Sequence, residues 1–313
     1  MKARFKHILF HRRKNTIGGI ILIVIAEIIW GTTIVLNVVA LEHFPAYLYA
    51  AIKTLAGGLI LLLFAIPKWK KFKKKHLLQL TISSVIGMGF FLMFLYKGME
   101  QTNGITTSVI LALSPIVIYL FSIEQLKERF DSKILIGSLV SLSGVLLIIF
   151  TSDTATTKAG GTGALLVFAA IICDAFGLTI KKPLLEIYHP FQISAVNILI
   201  ASVVLIIASI ATGDILLIGS AGKVGWEALA LNVVTAMVIA YMLYYTALTR
   251  LTLERSSVFA YIVPISGVLA SIVFLGDRPS PVFEVGSLIV FAGLIISQIK
   301  LPNSIHLDKR FKI

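Results

Sequence analysis

The chain has 313 residues, of which 58% are hydrophobic and only 14% are charged. An ordinary soluble domain has about 25% charged residues, so this chain lacks the polar side chains that would cover a water-facing surface. The same composition excludes an intrinsically disordered chain, and the single cysteine, Cys173, excludes a disulfide framework. The formal charge of +13 lies in short clusters between apolar runs, a pattern typical of membrane flanks and not of a nucleic-acid-binding domain.

Ten apolar runs are long enough to cross a lipid bilayer, which requires about 20 mostly apolar residues in a helix. The connections between them are short and leave no room for a soluble domain. The predicted fold is therefore an all-α integral membrane protein with ten transmembrane helices, a basic N-terminal arm over 1–16 and a C-terminal tail over 301–313. The predicted spans are 17–40, 46–66, 77–99, 104–123, 133–150, 163–181, 191–211, 224–247, 255–275 and 281–300.

The lysines and arginines indicate how the chain is oriented. With both termini in the cytoplasm, 23 of them fall on the cytoplasmic side, whereas only Lys158, Lys223 and Arg278 fall on the opposite side. This is the positive-inside distribution, which nine or eleven spans would scramble. The basic run 68–75 is predicted to anchor this topology, with specific binding of anionic lipid as the alternative. The lack of an Asn-x-Ser/Thr site favours a bacterial inner membrane, that is, the plasma membrane.

The chain also matches itself when it is shifted by 149 residues. Between residues 88 and 144, 16 of 57 positions are then identical without a gap, including the prolines Pro115 and Pro264. The first spans align at a slightly shorter offset, which places Trp30-Gly31 on Phe176-Gly177. We therefore predict two five-helix repeats, 17–150 and 163–300, joined by a loop over 151–162.

An odd number of helices in each repeat makes the second copy enter the membrane from the opposite side. The predicted architecture is an inverted-topology five-plus-five repeat, as in many secondary transporters. Such a protein opens to either side of the membrane when its two halves exchange conformations.

Three duplicated motifs make the chain similar to the EamA-like, ten-helix branch of the drug/metabolite transporter superfamily over about residues 17–300. One departure from the family pattern is Lys127, where glycine is usual. The resemblance implies a secondary transporter of small organic metabolites, with amino acids and amphipathic toxic compounds as the leading substrate classes and export as the favoured direction. The motifs are Trp30-Gly31, the segments Tyr96–Met99 and Tyr245–Leu248 followed by Ser108 or Ser257 and then Pro115 or Pro264, and the acidic turns Leu126–Arg129 and Leu275–Arg278 followed by Gly-x6-Gly helices.

Two carboxyl groups are predicted near the middle of the membrane. Glu27 is about eleven residues into the first span and Asp174 about twelve residues into the sixth, which corresponds to about 16 Å of helix for Glu27. An ionisable side chain at this depth costs at least ~2.5 kcal/mol. The functional interpretation is a pair of carboxylates that binds a cationic group or a coupling proton. The alternative is a protonated carboxyl group bonded to a neighbouring helix.

Several lysines lie within or near the spans. Lys53 is about eight residues into the second span. It is predicted either to pair with a carboxylate, that of Glu27 or of the substrate, or to extend to the outer interface. Lys97, like Glu100, lies at the outer end of the third span, where extension to the interface is favoured over a role as an outer gate. Lys181 and Lys182, at the inner end of the sixth span, are predicted to be topology anchors.

Aromatic and amide side chains complete the predicted substrate site. Aromatic walls with hydroxyl donors suit amphipathic organic solutes, although packing and interface anchoring are the alternatives. Asn232 lies mid-span and either binds substrate or makes a helix–helix hydrogen bond. The aromatic candidates are Trp30, Tyr96, Tyr241, Tyr244 and Tyr245.

Small residues and prolines are predicted to shape and bend the helices. Gly137 and Gly144 lie seven residues apart on one helix face, as do Gly286 and Gly293, so the fifth and tenth spans should pack closely as a scaffold outside the cavity. The predicted hinge positions, where spans bend during gating, are Gly31, Pro115, Gly177 and Pro264.

We therefore expect a secondary transporter. Coupling to proton exchange is favoured over uncoupled facilitation. A flippase for lipid-linked headgroups is an alternative, and an intramembrane enzyme using Glu27 and Asp174 as acid and base is the alternative from another class. The chain has no P-loop and no HExxH motif, so no ATPase function, catalytic residue, metal or cofactor is expected. The expected partners are a small-molecule substrate and the bilayer, and the sequence leaves the oligomeric state open.

Overall fold

The computed structural model describes residues 2–101, 110–128, 130–151, 161–219, 221–275 and 281–298, with side chains from Thr16 onward apart from a few isolated positions. Every regular element in these ranges is helical. The α-helices are α1 (Lys2–Thr32), α2 (Ile34–Leu41), α3 (Ala46–Ala65), α4 (Lys74–Ser84), α5 (Phe91–Gln101), α6 (Ser114–Leu126), α7 (Ser132–Thr151), α8 (Gly161–Lys181), α9 (Pro190–Thr212), α10 (Lys223–Asn232), α11 (Tyr241–Leu248), α12 (Leu253–Ser257), α13 (Ile262–Leu275) and α14 (Pro281–Gln298).

Two of the long helices contain π-helical segments. Residues Val85–Phe90 join α4 to α5, and residues Val233–Ala240 join α10 to α11. The two segments occupy equivalent places in the repeats, since Val85 and Val234 are separated by the same 149 residues as the sequence self-match. Apolar periodicity did not predict them, because a π turn changes the hydrogen-bond register of a helix and leaves its composition unchanged.

Six helical segments are long and apolar enough to cross a membrane, and they confirm six of the predicted spans. Short connections over 42–45, 69–73, 187–189 and 213–222 separate neighbouring segments, whereas α6 and α7 lie between the third segment and the fourth. The six segments are Thr16–Leu41, Ala46–Lys68, Lys74–Met99, Thr162–Glu186, Pro190–Thr212 and Lys223–Leu248.

The other four predicted spans coincide with shorter described helices, so the count of ten remains a prediction. Three of these contain the shorter apolar segments Ser114–Leu126, Ser132–Leu147 and Glu284–Gln298, which belong to α6, α7 and α14. The span predicted over 255–275 is divided among α12, a 3₁₀ helix at Val258–Tyr261 and α13. Most of the predicted loop 151–162 and all of the predicted tail 301–313 lie outside the described residues.

Glycines allow α7 and α14 to pack in close contact, as their spacing predicts. A Cβ atom added to Gly137 would lie 2.6 Å from the carbonyl oxygen of Gly293, and one added to Gly144 would lie 2.6 Å from that of Gly286. The contacts run in opposite order along the two helices, which are therefore antiparallel. Each glycine contacts the repeat mate of the other, which is the reciprocity that a two-fold axis produces.

The outside of the helix bundle is apolar, whereas many polar side chains face its interior. Leu63, Ile207 and Leu288 are 67%, 62% and 70% exposed, and buried positions include serines, threonines, asparagines and two lysines. This is the reverse of a soluble protein and suits a lipid environment, in which every polar group needs a partner inside the protein. The chain is therefore a multi-pass membrane protein.

Candidate substrate-binding site

The carboxyl groups of Glu27 and Asp174 lie inside the bundle on helices of different repeats. Glu27, on α1, is 3% exposed, whereas Asp174, on α8, is partly exposed. The two groups are near enough for their charges to interact. Neither carboxyl group hydrogen-bonds to another described residue, in contrast to the alternative of a carboxyl group bonded to a neighbouring helix. The two groups remain available to a cation or a proton.

Aromatic rings from α1 and α11 form a wall beside these carboxyl groups. The Trp30 ring centroid is 5.1 Å from that of Tyr241 and 5.0 Å from that of Tyr244. The Trp30 Nε1–H donates to the carbonyl oxygen of Ala236, 3.1 Å away in the second π-helical segment. This bond fixes the orientation of the indole, and both tyrosine hydroxyls lie within electrostatic reach of Glu27 and Asp174. The wall therefore combines apolar faces with hydroxyl groups that could orient a solute.

Lys53 lies within the bundle, where it contacts polar side chains of the first repeat. It is 4% exposed, so it neither extends to the outer interface nor forms an ion pair with Glu27. Its ammonium donates to Asn37 Oδ1 at 3.2 Å and to the Tyr96 hydroxyl at 3.4 Å, and it lies 4.6 Å from the centre of the Tyr49 ring. Sequence reasoning placed Lys53 and Tyr96 in the site but did not place them together.

Asn37 connects this group of side chains to the second repeat, although the sequence analysis did not identify it. Its Oδ1 accepts hydrogen bonds from the Tyr49 hydroxyl at 2.7 Å and from Asn232 Nδ2 at 2.9 Å, in addition to that from Lys53. Asn232 therefore makes the helix–helix hydrogen bond that was one of its two predicted roles. The available signal was an asparagine isolated in an apolar run, since a buried amide requires partners.

The interpretation of Lys181 as a topology anchor is wrong. Lys181 is 2% exposed, and its ammonium donates to Asn197 Oδ1 at 3.0 Å and to the Tyr245 hydroxyl at 3.2 Å. Lys182 donates to the carbonyl oxygens of Leu248 and Leu251 at the end of α11. Position at the end of an apolar run does not reveal which way a lysine points, because the rotation of the helix is set by packing.

The predicted hinge residues fall into two kinds. Gly31 and Gly177 are points of close contact: a Cβ on Gly31 would lie 2.5 Å from the Val263 carbonyl oxygen, and one on Gly177 would lie 2.2 Å from the Cα of Gly87. The first-span glycine of the second repeat thus contacts the π-helical segment of the first repeat.

The two prolines are in the first turns of helices, and both predicted spans are interrupted just before these helices, by a turn at 112–113 and by the 3₁₀ helix Val258–Tyr261. A role of these prolines in bending the spans stays a prediction. Pro115 is buried in the first turn of α6, and Pro264 lies in the first turn of α13. Proline is well tolerated there, since its missing N–H would have no partner within the helix. Lys97 is exposed near the end of α5, and the side chain of Glu100 lies outside the described residues.

A model of the EamA-like transporter family matches the chain twice, over residues 17–150 and 161–298. The chain belongs to the EamA-like transporter family. The two matches correspond closely to the predicted repeats 17–150 and 163–300. The resemblance inferred from the duplicated aromatic–glycine, tyrosine and acidic-turn motifs is thereby confirmed.

Relatives of this EamA-like protein are named as transporters. YetK of Bacillus subtilis (strain 168), an uncharacterized transporter, is 25% identical over 292 residues, which cover 92% of this chain and 88% of YetK. A probable terminal-alkyne amino-acid exporter of Streptantibioticus cattleyicolor is 23% identical over 230 residues, covering 72% of this chain and 74% of the exporter. A solved crystal structure superposes with a TM-score of 0.77 at 15% identity, covering 91% of this chain and 96% of the other, which shows a shared fold.

Proposed function

We propose that the protein is a secondary transporter that moves a small organic metabolite, an amino acid or an amphipathic compound, by alternating access. The observation that carries the proposal is that Glu27 and Asp174, on equivalent helices of the two repeats, lie inside the bundle within range of each other's charge and beside the aromatic wall formed by Trp30, Tyr241 and Tyr244. Inverted-repeat carriers place their substrate and coupling groups at such a repeat interface. We propose Glu27 and Asp174 as the proton-coupling groups.

Ten spans in two inverted repeats are part of this proposal. The antiparallel, reciprocal glycine contacts between α7 and α14 support a two-fold relation between the repeats. The paired π-helical segments and the family match to each half support the same relation. In this arrangement α7 and α14 form the scaffold, and the remaining helices surround the substrate path.

Export across a bacterial plasma membrane, with both termini in the cytoplasm, is the proposed physiological direction. The Streptantibioticus relative is named a probable amino-acid exporter, and the basic clusters have the distribution expected for cytoplasmic termini. Family membership and the names of the relatives support a transporter, which we favour over an enzyme.

Reconstitution into liposomes tests this function directly. Uptake of a panel of amino acids, amines and amphipathic compounds is measured with and without an imposed pH gradient, against protein-free liposomes. We expect at least one class of solute to enter only with the protein, and faster with the gradient. Entry at equal rates with and without the gradient would leave a facilitator, and no entry of any solute would contradict the proposal.

A further inference from the structure

The two buried lysines make similar contacts in the two repeats. Asn37 and Lys53 are 16 residues apart in the first repeat, as are Lys181 and Asn197 in the second. The two pairs are offset by 144 residues, two fewer than the offset that aligns Trp30 with Phe176, so they lie near equivalent places. In both repeats the lysine ammonium donates to the asparagine Oδ1, but the order of lysine and asparagine along the chain is reversed.

A tyrosine completes each group. Lys53 donates to Tyr96 and Lys181 donates to Tyr245, and these two tyrosines match in the 149-residue self-alignment. Both lysines are almost completely buried, yet no carboxylate among the described residues lies within ion-pair distance of either ammonium. A buried cation held only by neutral acceptors is costly, and an anion recovers much of that cost.

The two groups differ in how many of their polar atoms are satisfied. In the first repeat, Asn37 Oδ1 accepts three hydrogen bonds. In the second, among the described residues, Asn197 Oδ1 accepts only the bond from Lys181, and Asn197 Nδ2 is buried without a partner. An ammonium has three N–H donors, and Lys181, like Lys53, uses two of them within the described part of the chain. One ammonium N–H and one amide NH₂ group therefore remain unused side by side.

We infer that Lys181 and Asn197 form the binding site for the carboxylate group of the transported solute. A carboxylate has two oxygens, which match the two unused donors, and charge-assisted bonds of this kind are about twice as strong as neutral ones. This inference rests on the proposed transport function and narrows its substrate class to solutes that have a carboxylate. The Lys53 group resembles this site in the first repeat, but its asparagine oxygen already accepts hydrogen bonds from Tyr49 and Asn232 as well as from Lys53.

The position of Asp174 extends the inference to α-amino acids. Asp174 is seven residues before Lys181 on α8, about 10 Å along the helix and nearly on the same face. The charges of these two side chains interact, although they do not form an ion pair. An α-amino acid has its carboxylate and its ammonium on one carbon, so it can bridge Lys181 at one end and Asp174 with Glu27 at the other.

Ligand-dependent thermal unfolding of the purified full-length protein tests the site, because a ligand that binds the folded state stabilises it. The probes are L-amino acids, the amides of the same amino acids, and the corresponding amines, which lack the carboxylate. For the wild type, we expect amino acids to stabilise the protein more than the matched amides and amines. Lys181→Asn should weaken amino-acid binding by about 30-fold or more, since truncating one partner of a buried charge pair costs 2 kcal/mol or more. The Lys181→Asn variant should still bind amines, which the wild type binds more weakly than amino acids.

The exchanged arrangement of the first repeat provides the matched control. The double variant Lys181→Asn/Asn197→Lys reproduces the Asn–Lys order of Asn37 and Lys53, so it should recover most of the amino-acid binding that Lys181→Asn loses. Wild-type amino-acid affinity in folded Lys181→Asn would overturn the site, as would equal stabilisation of the wild type by acids and amides. If liposomes transport amines but no carboxylate, the transport function stands and the carboxylate site is wrong. If no solute is transported although amino acids bind through Lys181, the site stands and the transport function is wrong.

Discussion

Glu27 illustrates how strongly a single side chain is constrained in a membrane helix. A charged carboxylate in the bilayer must face protein or water, and Glu27 is buried within the protein, in range of charge interactions with Asp174 and Tyr244. A carrier that exchanges protons for solute needs a group whose proton affinity changes when the solute binds. Glu27 meets this requirement, because a bound cation near both carboxylates would favour their charged forms.

Replacing Glu27 with glutamine tests its role in coupling. Glu27→Gln keeps the size and hydrogen-bonding capacity of the side chain but removes its titration. We expect a folded protein in which uptake driven by a pH gradient falls to the level of protein-free liposomes, while passive exchange of a neutral solute survives. Glu42→Gln, at an exposed position in the turn before α3, is the matched control and should transport normally. Wild-type pH-driven uptake in Glu27→Gln would transfer the coupling role to Asp174 or remove proton coupling altogether.

The backbone conformation of Lys127 explains why the family pattern has glycine at this position. It ends α6 with a φ of 55°, the left-handed region in which glycine carries no steric penalty. A non-glycine residue there costs roughly 1–2 kcal/mol. Lys127→Gly should therefore raise the free energy of unfolding, by up to about 1 kcal/mol after the added chain entropy of glycine is subtracted. Thermal unfolding against Lys127→Ala, which retains a Cβ, checks this, and equal stability of the two variants would contradict it.

At the scale of the helices, the contact between α7 and α14 depends on the absence of side chains. A Cβ on Gly144 would meet the carbonyl oxygen of Gly286, and backbone atoms cannot move aside as a flexible side chain can. Gly144→Val should destabilise the protein by about 1–3 kcal/mol, as overpacking does in well-packed cores. Ser143→Val places the same side chain on the exposed face of the same helix and should have little effect. Similar melting temperatures for both variants would show that this contact is not tight.

The start of α12, near the predicted cytoplasmic end, is held by the carboxylate of Glu128. The Glu128 carboxylate accepts hydrogen bonds from the backbone N–H groups of Leu253 and Glu254, at 3.1 and 2.9 Å. Burial, and then the charge of Glu128, raise the pKa of Glu254 from 4.5 to about 7. The folded protein therefore binds this proton more tightly than the unfolded chain, so the contribution of Glu254 to stability falls as the pH rises from 4.5 to 7.

Glu254→Gln should remove this pH dependence. The variant should melt at a higher temperature than the wild type at pH values above about 7, and at a similar temperature near the ordinary glutamate pKa of about 4.3. Unfolding curves across this range check the prediction. Glu227→Gln, at an exposed carboxylate that pairs with Lys223, is the control and should follow the wild type. A Glu254→Gln curve parallel to the wild type would contradict the assignment.

The long helices and the repeats were predictable from the sequence because they depend on composition and spacing. Apolar run length located six long apolar helices, and the glycine spacing predicted the packing of α7 against α14. The burial of Lys181 was not predictable, because it depends on how α8 is rotated against its neighbours. The π-helical segments were not predicted for a related reason, since an extra residue per turn leaves the apolar composition unchanged.

At the scale of the whole molecule, the site depends on the repeats facing each other. Glu27 and Asp174 are on equivalent helices from different halves of the chain, and their charges interact. A buried lysine that donates to an asparagine also recurs in each half, with the order of the two residues reversed. An exchange of conformations between such halves would transfer access from one side of the membrane to the other.

Two lysines at equivalent positions allow this relation to be tested without a ligand. Lys74 is the first residue of α4 and Lys223 is the first residue of α10, and they are 149 residues apart, the offset of the self-match. Both side chains are exposed. In an inverted repeat these matching positions lie on opposite sides of the membrane, whereas in a parallel repeat they lie on the same side.

The excess of positive charge around Lys74 places it in the cytoplasm. In a Cys173→Ser background, we expect Lys223→Cys to react with a membrane-impermeant maleimide on intact cells, and Lys74→Cys to react only after the membrane is opened. Because each variant is the control for the other, labelling of both on intact cells, or of neither, would exclude the inverted arrangement and with it the proposed alternating access.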